Sequence, residues 1–355
     1  MERAFRGRGA SSNPTPRFAD HATEACDDGW WADETPTSIA TEVRPEAARS
    51  VLTRNDSPDI PFNVSLNPYR GCEHGCVYCY ARPSHAYLDL SPGIDFETRL
   101  YYKADAARLL KAELARPGYR CEPIMLGANT DPYQPVEREL KVTRSILEVL
   151  LEHRHPVSII TKGALAMRDL DLLAGFARHD LLHFTVSLTT LDDELKRSME
   201  PRAASGAARL KLIRAVAGLG APVTVLAAPV IPAVNDAELE SLLEAAATAG
   251  ARRAGFVLLR LPHELKDLFS EWLQQALPLR AAHVLSLMRQ SRGGRLNDPR
   301  FGMRMRGDGP YAQLIGARFA LACKRLGLNV APPPRLDTTA FRPPAPGGQL
   351  DLAFA

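Results

Sequence analysis

Asn67-Pro68-Tyr69-Arg70-Gly71-Cys72-Glu73-His74-Gly75-Cys76-Val77-Tyr78-Cys79-Tyr80 holds three of the chain's six cysteines within eight residues, spaced C-x3-C-x2-C. Three thiols on so short a loop cannot all pair as disulfides. Cys26, Cys121 and Cys323 are scattered singly, and clustered thiols with no secretory context read as metal ligands. Zinc wants four closed tetrahedral ligands, usually as two separated pairs. No second C-x2-C pair occurs, and His74 would have to supply a fourth ligand from inside the same small loop. A cubane iron–sulfur cluster can sit on three thiolates with one iron left open, so it suits this loop better.

Outward from the loop, the chain alternates strands and helices. Residues 63–67 form a short alternating strand leading into the cysteines. A helix is expected over 97–114, ending at Arg116-Pro117-Gly118, then a strand over 124–128 and a helix over 136–152. Strand 157–161, helix 166–177, strand 182–188, helix 205–219, strand 223–228, helix 236–248 and strand 255–259 follow. Apolar strands between amphipathic helices predict six β/α units, hence an α/β fold with a parallel sheet or a partial (β/α)6 TIM-like barrel. In such a barrel, functional groups gather on the loops at the C-terminal ends of the strands. The cysteine loop follows the first strand, Asn129, Thr130 and Asp131 the second, and Lys162 the third. Ser187 and Thr189 end the fourth, with Glu200 and Arg202 beyond it.

The flanks differ in texture. Residues 1–45 are rich in Ser, Thr, Pro and Gly and read as mostly disordered, with Trp30-Trp31 as a local anchor. The core is expected over 46–279. A basic helical extension over 280–328 includes a helix at 311–326, and between residues 280 and 325 it carries ten Lys and Arg against two Asp. A Pro/Gly-rich tail over 329–355 ends in Gln349-Leu350-Asp351-Leu352-Ala353-Phe354, similar to short peptides that dock on the DNA sliding clamp. A net charge of +3 gives no ground for nucleic-acid binding overall, while the basic extension is where a polyanion would bind. No apolar run approaches ~18 residues, and the N-terminus lacks an apolar signal core, so a cytoplasmic protein is expected.

The cysteine triplet with its preceding aromatic resembles the signature of radical S-adenosylmethionine (SAM) enzymes. With Thr130-Asp131-Pro132-Tyr133-Gln134-Pro135, Thr161-Lys162 and Glu200-Pro201-Arg202, the likeness extends to the spore photoproduct lyase-related branch, in an uncharacterised bacterial subfamily. This resemblance covers residues 49–328. It implies that Cys72, Cys76 and Cys79 bind a [4Fe–4S] cluster and that SAM chelates its open iron. Reductive cleavage of SAM would then yield a 5′-deoxyadenosyl radical that abstracts hydrogen from a substrate, with a flavodoxin or ferredoxin as one-electron reductant. The resemblance also places Tyr78 against the adenine and Asn129, Thr130 and Asp131 at the methionine end. Ser187, Glu200 and Arg202 fall at the ribose or carboxylate, and Tyr80 and Lys162 in catalysis. The branch's lyase returns a hydrogen atom from a cysteine just after the second strand, where this sequence has Asn129. Cys121 precedes that strand and should lie about 15–20 Å away at the far end. A damaged or modified DNA base is the expected substrate; a protein, tRNA or small metabolite is the alternative, and a noncatalytic metal-bearing nucleic-acid-binding protein is a rival from another class.

Overall fold

Six short apolar strands make the parallel sheet that the alternation predicts. They are β1 (Val64–Leu66), β2 (Ile124–Leu126), β3 (Val157–Thr161), β4 (Leu182–Ser187), β5 (Val223–Val230) and β6 (Arg253–Leu258). The computed structural model describes residues 5–19 and 38–344. Strand order is β6-β5-β4-β3-β2-β1, with the antiparallel strand Leu52–Arg54 added beyond β1. The sheet therefore ends in two separate edges, as a partial barrel does. Between the strands run α1 (Ala106–Leu114), α2 (Val142–Glu152), α3 (Leu170–Ala177), α4 (Gly206–Ala217) and α5 (Leu239–Thr248). Their apolar faces pack on the sheet, so Leu110, Ile146, Phe176, Leu212 and Leu243 are all fully buried. Register pairs Leu66 with Leu126, Leu126 with Ile159, and Thr161 with Val186, so successive strands deliver their loops to one edge.

Several boundaries differ from the sequence reading. The helix expected over 97–114 is interrupted by the strand Arg99–Tyr102, which joins a second sheet between Glu42–Pro45 and Tyr69–Arg70. Pairing with two neighbours outweighs the helical preference of this stretch. The helix expected over 136–152 is two helices, Glu137–Leu140 and α2, broken where Lys141 takes a left-handed conformation (φ 53°). The helix expected from 166 opens as a 3₁₀ turn, Ala164–Asp169.

The flanks differ most from the expectation. Residues 5–19, within the segment expected to be mostly disordered, pack on the body of the protein, with Arg8 and Ala10 buried. Glu42–Pro45, at the end of the segment read as disordered, is a strand of the second sheet. Past β6, two helices were missed, α6 (Leu265–Ala276) and α7 (Pro278–Gln290), before α8 (Gly309–Arg325). Leu265, Phe269, Trp272, Val284 and Met288 from the missed pair join Val77 and Tyr78 of the cysteine loop in one apolar cluster. Much of the positive charge of the extension is spent internally. Arg292 donates to the Leu258 and Leu259 carbonyls, while Arg300, Arg304 and Arg318 pair with Asp298, Asp59 and Glu240. The Pro/Gly tail is docked as far as Arg342, whose N–H donates to the His153 carbonyl, and Phe341 packs edge-on against His155. Cys26, Trp30-Trp31 and the clamp-like peptide at 349–354 lie outside the described residues.

Two histidines are fully buried in this body, His85 beneath the cysteine loop and His155 under Phe341. Burial, opposed only weakly by backbone hydrogen bonds, pushes each down to about 4. Both are therefore neutral in the folded protein at neutral pH, whereas the unfolded chain takes up protons below about 6.5. Stability is fully present above that value and falls as the pH drops toward 4. Moving from pH 7 to pH 5 should cost about 2 kcal/mol per histidine. Urea midpoints at the two pH values measure this, and equal midpoints would mean that the histidines accept protons within the fold.

Candidate active site

The cysteine loop is held from several sides. Gly75 adopts a left-handed turn (φ 67°) that reverses the chain between the first two cysteines. Glu73 N donates to Gln134 Oε1 at 2.8 Å, and Gln134 Nε2 returns a bond to the Gly71 carbonyl at 3.2 Å. Cys72 N donates to the Phe96 carbonyl (2.9 Å) and Val77 N to the Met199 carbonyl (3.0 Å). Arg82, wholly buried, donates through Nε to the Cys76 carbonyl at 2.9 Å. Within this frame all three thiols are free, Cys72 and Cys76 at 7% and 8% exposure and Cys79 part-buried. Burial pushes Cys72 well above the usual thiol range, with further contributions from Asp131, Cys76 and Cys79. Cys76 is raised by burial and then by Glu200. The three cysteines fall within eight residues of one braced loop, and Cys79 N donates to the Cys76 carbonyl at 3.2 Å. Among the described residues, no three His, Cys, Asp or Glu side chains are placed to grip a single metal ion.

Facing the loop stand the ends of β2, β3, β4 and β6. Asn129 N and Thr130 N both donate to Asn67 Oδ1, at 2.8 and 3.3 Å, and Thr130 Oγ1 donates to the Tyr69 carbonyl at 2.9 Å. Asp131 is a junction. Its carboxylate accepts from Thr161 Oγ1 (2.6 Å), Lys162 N (2.7 Å) and Tyr133 N (2.9 Å), and His74 Nδ1 lies 3.3 Å away. Burial alone would raise its pKa, yet His74 and these donors hold it at about 2. Asp131 thus fastens the β2 loop, the start of the β3 loop and the cysteine loop to one another.

Lys162 Nζ donates to Ser187 Oγ at 3.0 Å and lies 5.7 Å from the centre of the Tyr78 ring. The Tyr78 hydroxyl bonds to Glu200 and lies 3.2 Å from Thr189 Oγ1. Glu200 is fully buried and also takes the Arg209 guanidinium and the Thr189 hydroxyl, so its oxygens support Tyr78. Arg202 sits on the outer side of the loop, 3.0 Å from Glu73. Tyr80, 45% exposed, donates its hydroxyl to the Ala128 carbonyl and carries the Arg260 guanidinium 4.7 Å above its ring. Cys121 lies before β2, at the opposite end from these groups.

Sequence reasoning missed Arg260, His74, Gln134 and Arg209. Arg260 lies beside Tyr80, with its guanidinium 4.7 Å from the ring centre. Part-buried just past β6, it makes no ion pair or hydrogen bond among the described residues, and burial and Arg304 lower its pKa. Its position directly after the strand expected over 255–259 was the available signal, matching that of Lys162 after β3. Gln134 and His74 lay inside the quoted motifs, but nothing local indicates which atoms they bind.

Comparisons with known proteins agree with this geometry. A family model described as the radical SAM superfamily matches residues 66–246, half of the chain. An uncharacterised protein of Mycobacterium tuberculosis is 40% identical over 233 residues, covering 65% of this chain and 68% of the relative. One from Methanocaldococcus jannaschii is 27% identical over 173 residues, covering 49% and 62%. Among solved structures, spore photoproduct lyase complexed with dinucleoside spore photoproduct aligns with a TM-score of 0.58 at 15% identity. That alignment covers 81% of this chain and 80% of the lyase, and it is a likeness of fold. A double mutant of the lyase with bound AdoMet and the same dinucleoside aligns equally well, TM-score 0.58. On the family model that matches half of its length, the chain belongs to the radical SAM superfamily.

Proposed function

We propose that Cys72, Cys76 and Cys79 hold a [4Fe–4S] cluster and that the chain is a radical SAM enzyme acting on a nucleic-acid base. The observation that carries this reading is the trio of free thiols on one braced loop, set at the edge where β2, β3, β4 and β6 end. Soft sulfur donors suit iron, and a cubane needs each thiolate on a different iron rather than convergence on one point. The residues present therefore fit the group. Loaded with the cluster and SAM, the site would supply reductive cleavage to a 5′-deoxyadenosyl radical that takes hydrogen from a substrate.

The chain's own residues would bind and orient. Asn129 offers a part-buried amide for SAM beside the buried hydroxyls of Thr130 and Ser187, and Tyr78 offers a ring locked by Glu200. Asp131 and Glu200 act through other residues, by keeping loop and ring in place, and Arg202 steadies the loop from outside. Lys162 and Tyr80 would line the substrate side, and Tyr80 would exchange a hydrogen in the role that a cysteine after β2 would otherwise fill. Arg260, paired with no acid among the described residues, is suited to a phosphate of the substrate. The lyase structures with dinucleoside spore photoproduct support a lesion-bearing nucleic acid as the substrate class. A flavodoxin- or ferredoxin-like donor would supply the electron.

Anaerobic reconstitution tests the reading. The protein should turn brown, bleach with dithionite and release 5′-deoxyadenosine from SAM; zinc in place of iron, or no cleavage under reduction, would reject it. Lys162→Ala should keep its iron and lower turnover about 10²-fold; loss of colour in that variant would assign the lysine to holding the loop. Arg260→Ala should leave SAM cleavage without substrate unchanged and raise KM for a damaged oligonucleotide about tenfold. An unchanged KM would remove Arg260 from substrate binding.

A further inference from the structure

The outer wall of the cysteine loop is built by the N-terminal segment. Glu97 has no solvent exposure, and a buried carboxylate needs partners on both oxygens. Arg82 Nη2 supplies one at 2.5 Å. The others come from the N-terminal segment: Gly9 N donates to Oε2 and Ala10 N to Oε1, both at 2.9 Å. Arg8, itself buried, donates to the Glu97 carbonyl at 3.0 Å, and its other nitrogen reaches the Ile39 carbonyl (2.6 Å) and Thr41 Oγ1 (3.0 Å).

This wall touches the cluster loop itself. A Cβ on Gly9 would land on the carbonyl of Gly75, and a Cβ on Gly75 would meet Glu97 Oε2 at 2.6 Å. Through Arg82, the same Glu97 is linked to the carbonyl of Cys76. Farther along, Ile94 N donates to the Ser12 carbonyl (3.2 Å), Ser12 Oγ to Glu271 on α6 (2.6 Å), and Ser91 Oγ to the Pro14 carbonyl (2.7 Å). Arg17 pairs with Glu264 at 2.8 Å. The segment thus crosses from the cysteine loop to α6 and is fastened along its length.

We infer that residues 7–14 form a strap whose Gly9 and Ala10 backbone positions the Gly75–Cys76 turn for the cluster and shields it from solvent and oxygen. This rests on the reading of Cys72, Cys76 and Cys79 as cluster ligands. Gly9 is a positioning residue: it touches neither cofactor nor substrate and acts through Glu97, Arg82 and the Gly75 carbonyl.

The test compares the reconstituted full-length protein with Gly9→Val, a deletion of residues 1–14, and Leu279→Ala, whose side chain is fully exposed on α7. Iron retained after gel filtration, the electron paramagnetic resonance signal of the reduced cluster, and the rate of bleaching in air are measured. In Gly9→Val and the deletion, bleaching should run about tenfold faster with an altered signal, while Leu279→Ala matches the parent. A synthetic peptide of residues 1–19, added to the deletion variant, should slow the bleaching again. Thermal unfolding of the iron-free proteins separates positioning from folding. Parent-like bleaching and signal in both variants would overturn the strap, as would iron-free variants that have lost their cooperative transition. A parent protein that takes up no iron would instead overturn the cluster reading on which the strap rests.

Discussion

Replacing any one of Cys72, Cys76 and Cys79 by alanine should abolish iron uptake and drop 5′-deoxyadenosine release below about one-thousandth of the parent value. Each thiol is held by a differently braced part of the loop: Cys72 by the Phe96 carbonyl, Cys76 through Arg82, and Cys79 by its N–H to the Cys76 carbonyl at 3.2 Å. Asp131, the acid that contributes most to raising the Cys72 thiol, is already committed to Thr161, Lys162 and Tyr133 and is not free to replace a lost ligand. Cys121→Ala and Cys323→Ala serve as controls. Cys121 precedes β2 and Cys323 lies in α8, so their iron content should equal that of the parent. Iron measured per chain on anaerobically reconstituted protein decides the matter; a full complement in the Cys76→Ala variant would remove the triplet as the ligand set.

Arg209→Met should destabilise the fold by about 3–5 kcal/mol, because it strands the buried carboxylate of Glu200. Arg209 and Glu200 are 1% and 0% exposed, and the guanidinium also donates to the Ser187 and Ala204 carbonyls at 3.0 Å each. Against a total stability of about 5–15 kcal/mol, such a loss is large. Glu200→Gln in the same chain removes the stranded charge and should recover part of the stability, a coupling that a double-mutant cycle in urea reads directly. Equal effects of Arg209→Met with and without Glu200→Gln would show that the pair contributes through packing alone. Tyr78 gives a second readout, since its hydroxyl depends on Glu200 and its ring underlies Lys162.

The positions of the candidate groups were legible because they fall at strand ends, and strand ends can be read from local pattern. Lys162 follows the apolar run Val157–Thr161 directly, and Ser187 closes Leu182–Ser187. What each group bonds to was not legible. Glu200, expected from the resemblance to meet SAM, turns its carboxylate to Arg209, Tyr78 and Thr189. The ten basic residues of the extension suggested a polyanion surface, yet Arg292, Arg300, Arg304 and Arg318 are taken up by carbonyls and acids. Charge counted along a chain says nothing about pairing across space.

By itself the amino-acid sequence determined the cysteine triplet, the six β/α repeats and the edge at which polar groups gather. Thiol spacing and hydrophobic periodicity act within a few residues of each other, so they are written locally. Only the tertiary structure decided that the N-terminal segment walls the cysteine loop, that Arg260 stands over Tyr80, and that α6 and α7 cover the loop's apolar side. The bond from Gly9 to Glu97 joins residues 88 positions apart, and Trp272 bonds Ser198 across 74. Contacts at that separation come from the path of the folded chain, and no local pattern specifies them.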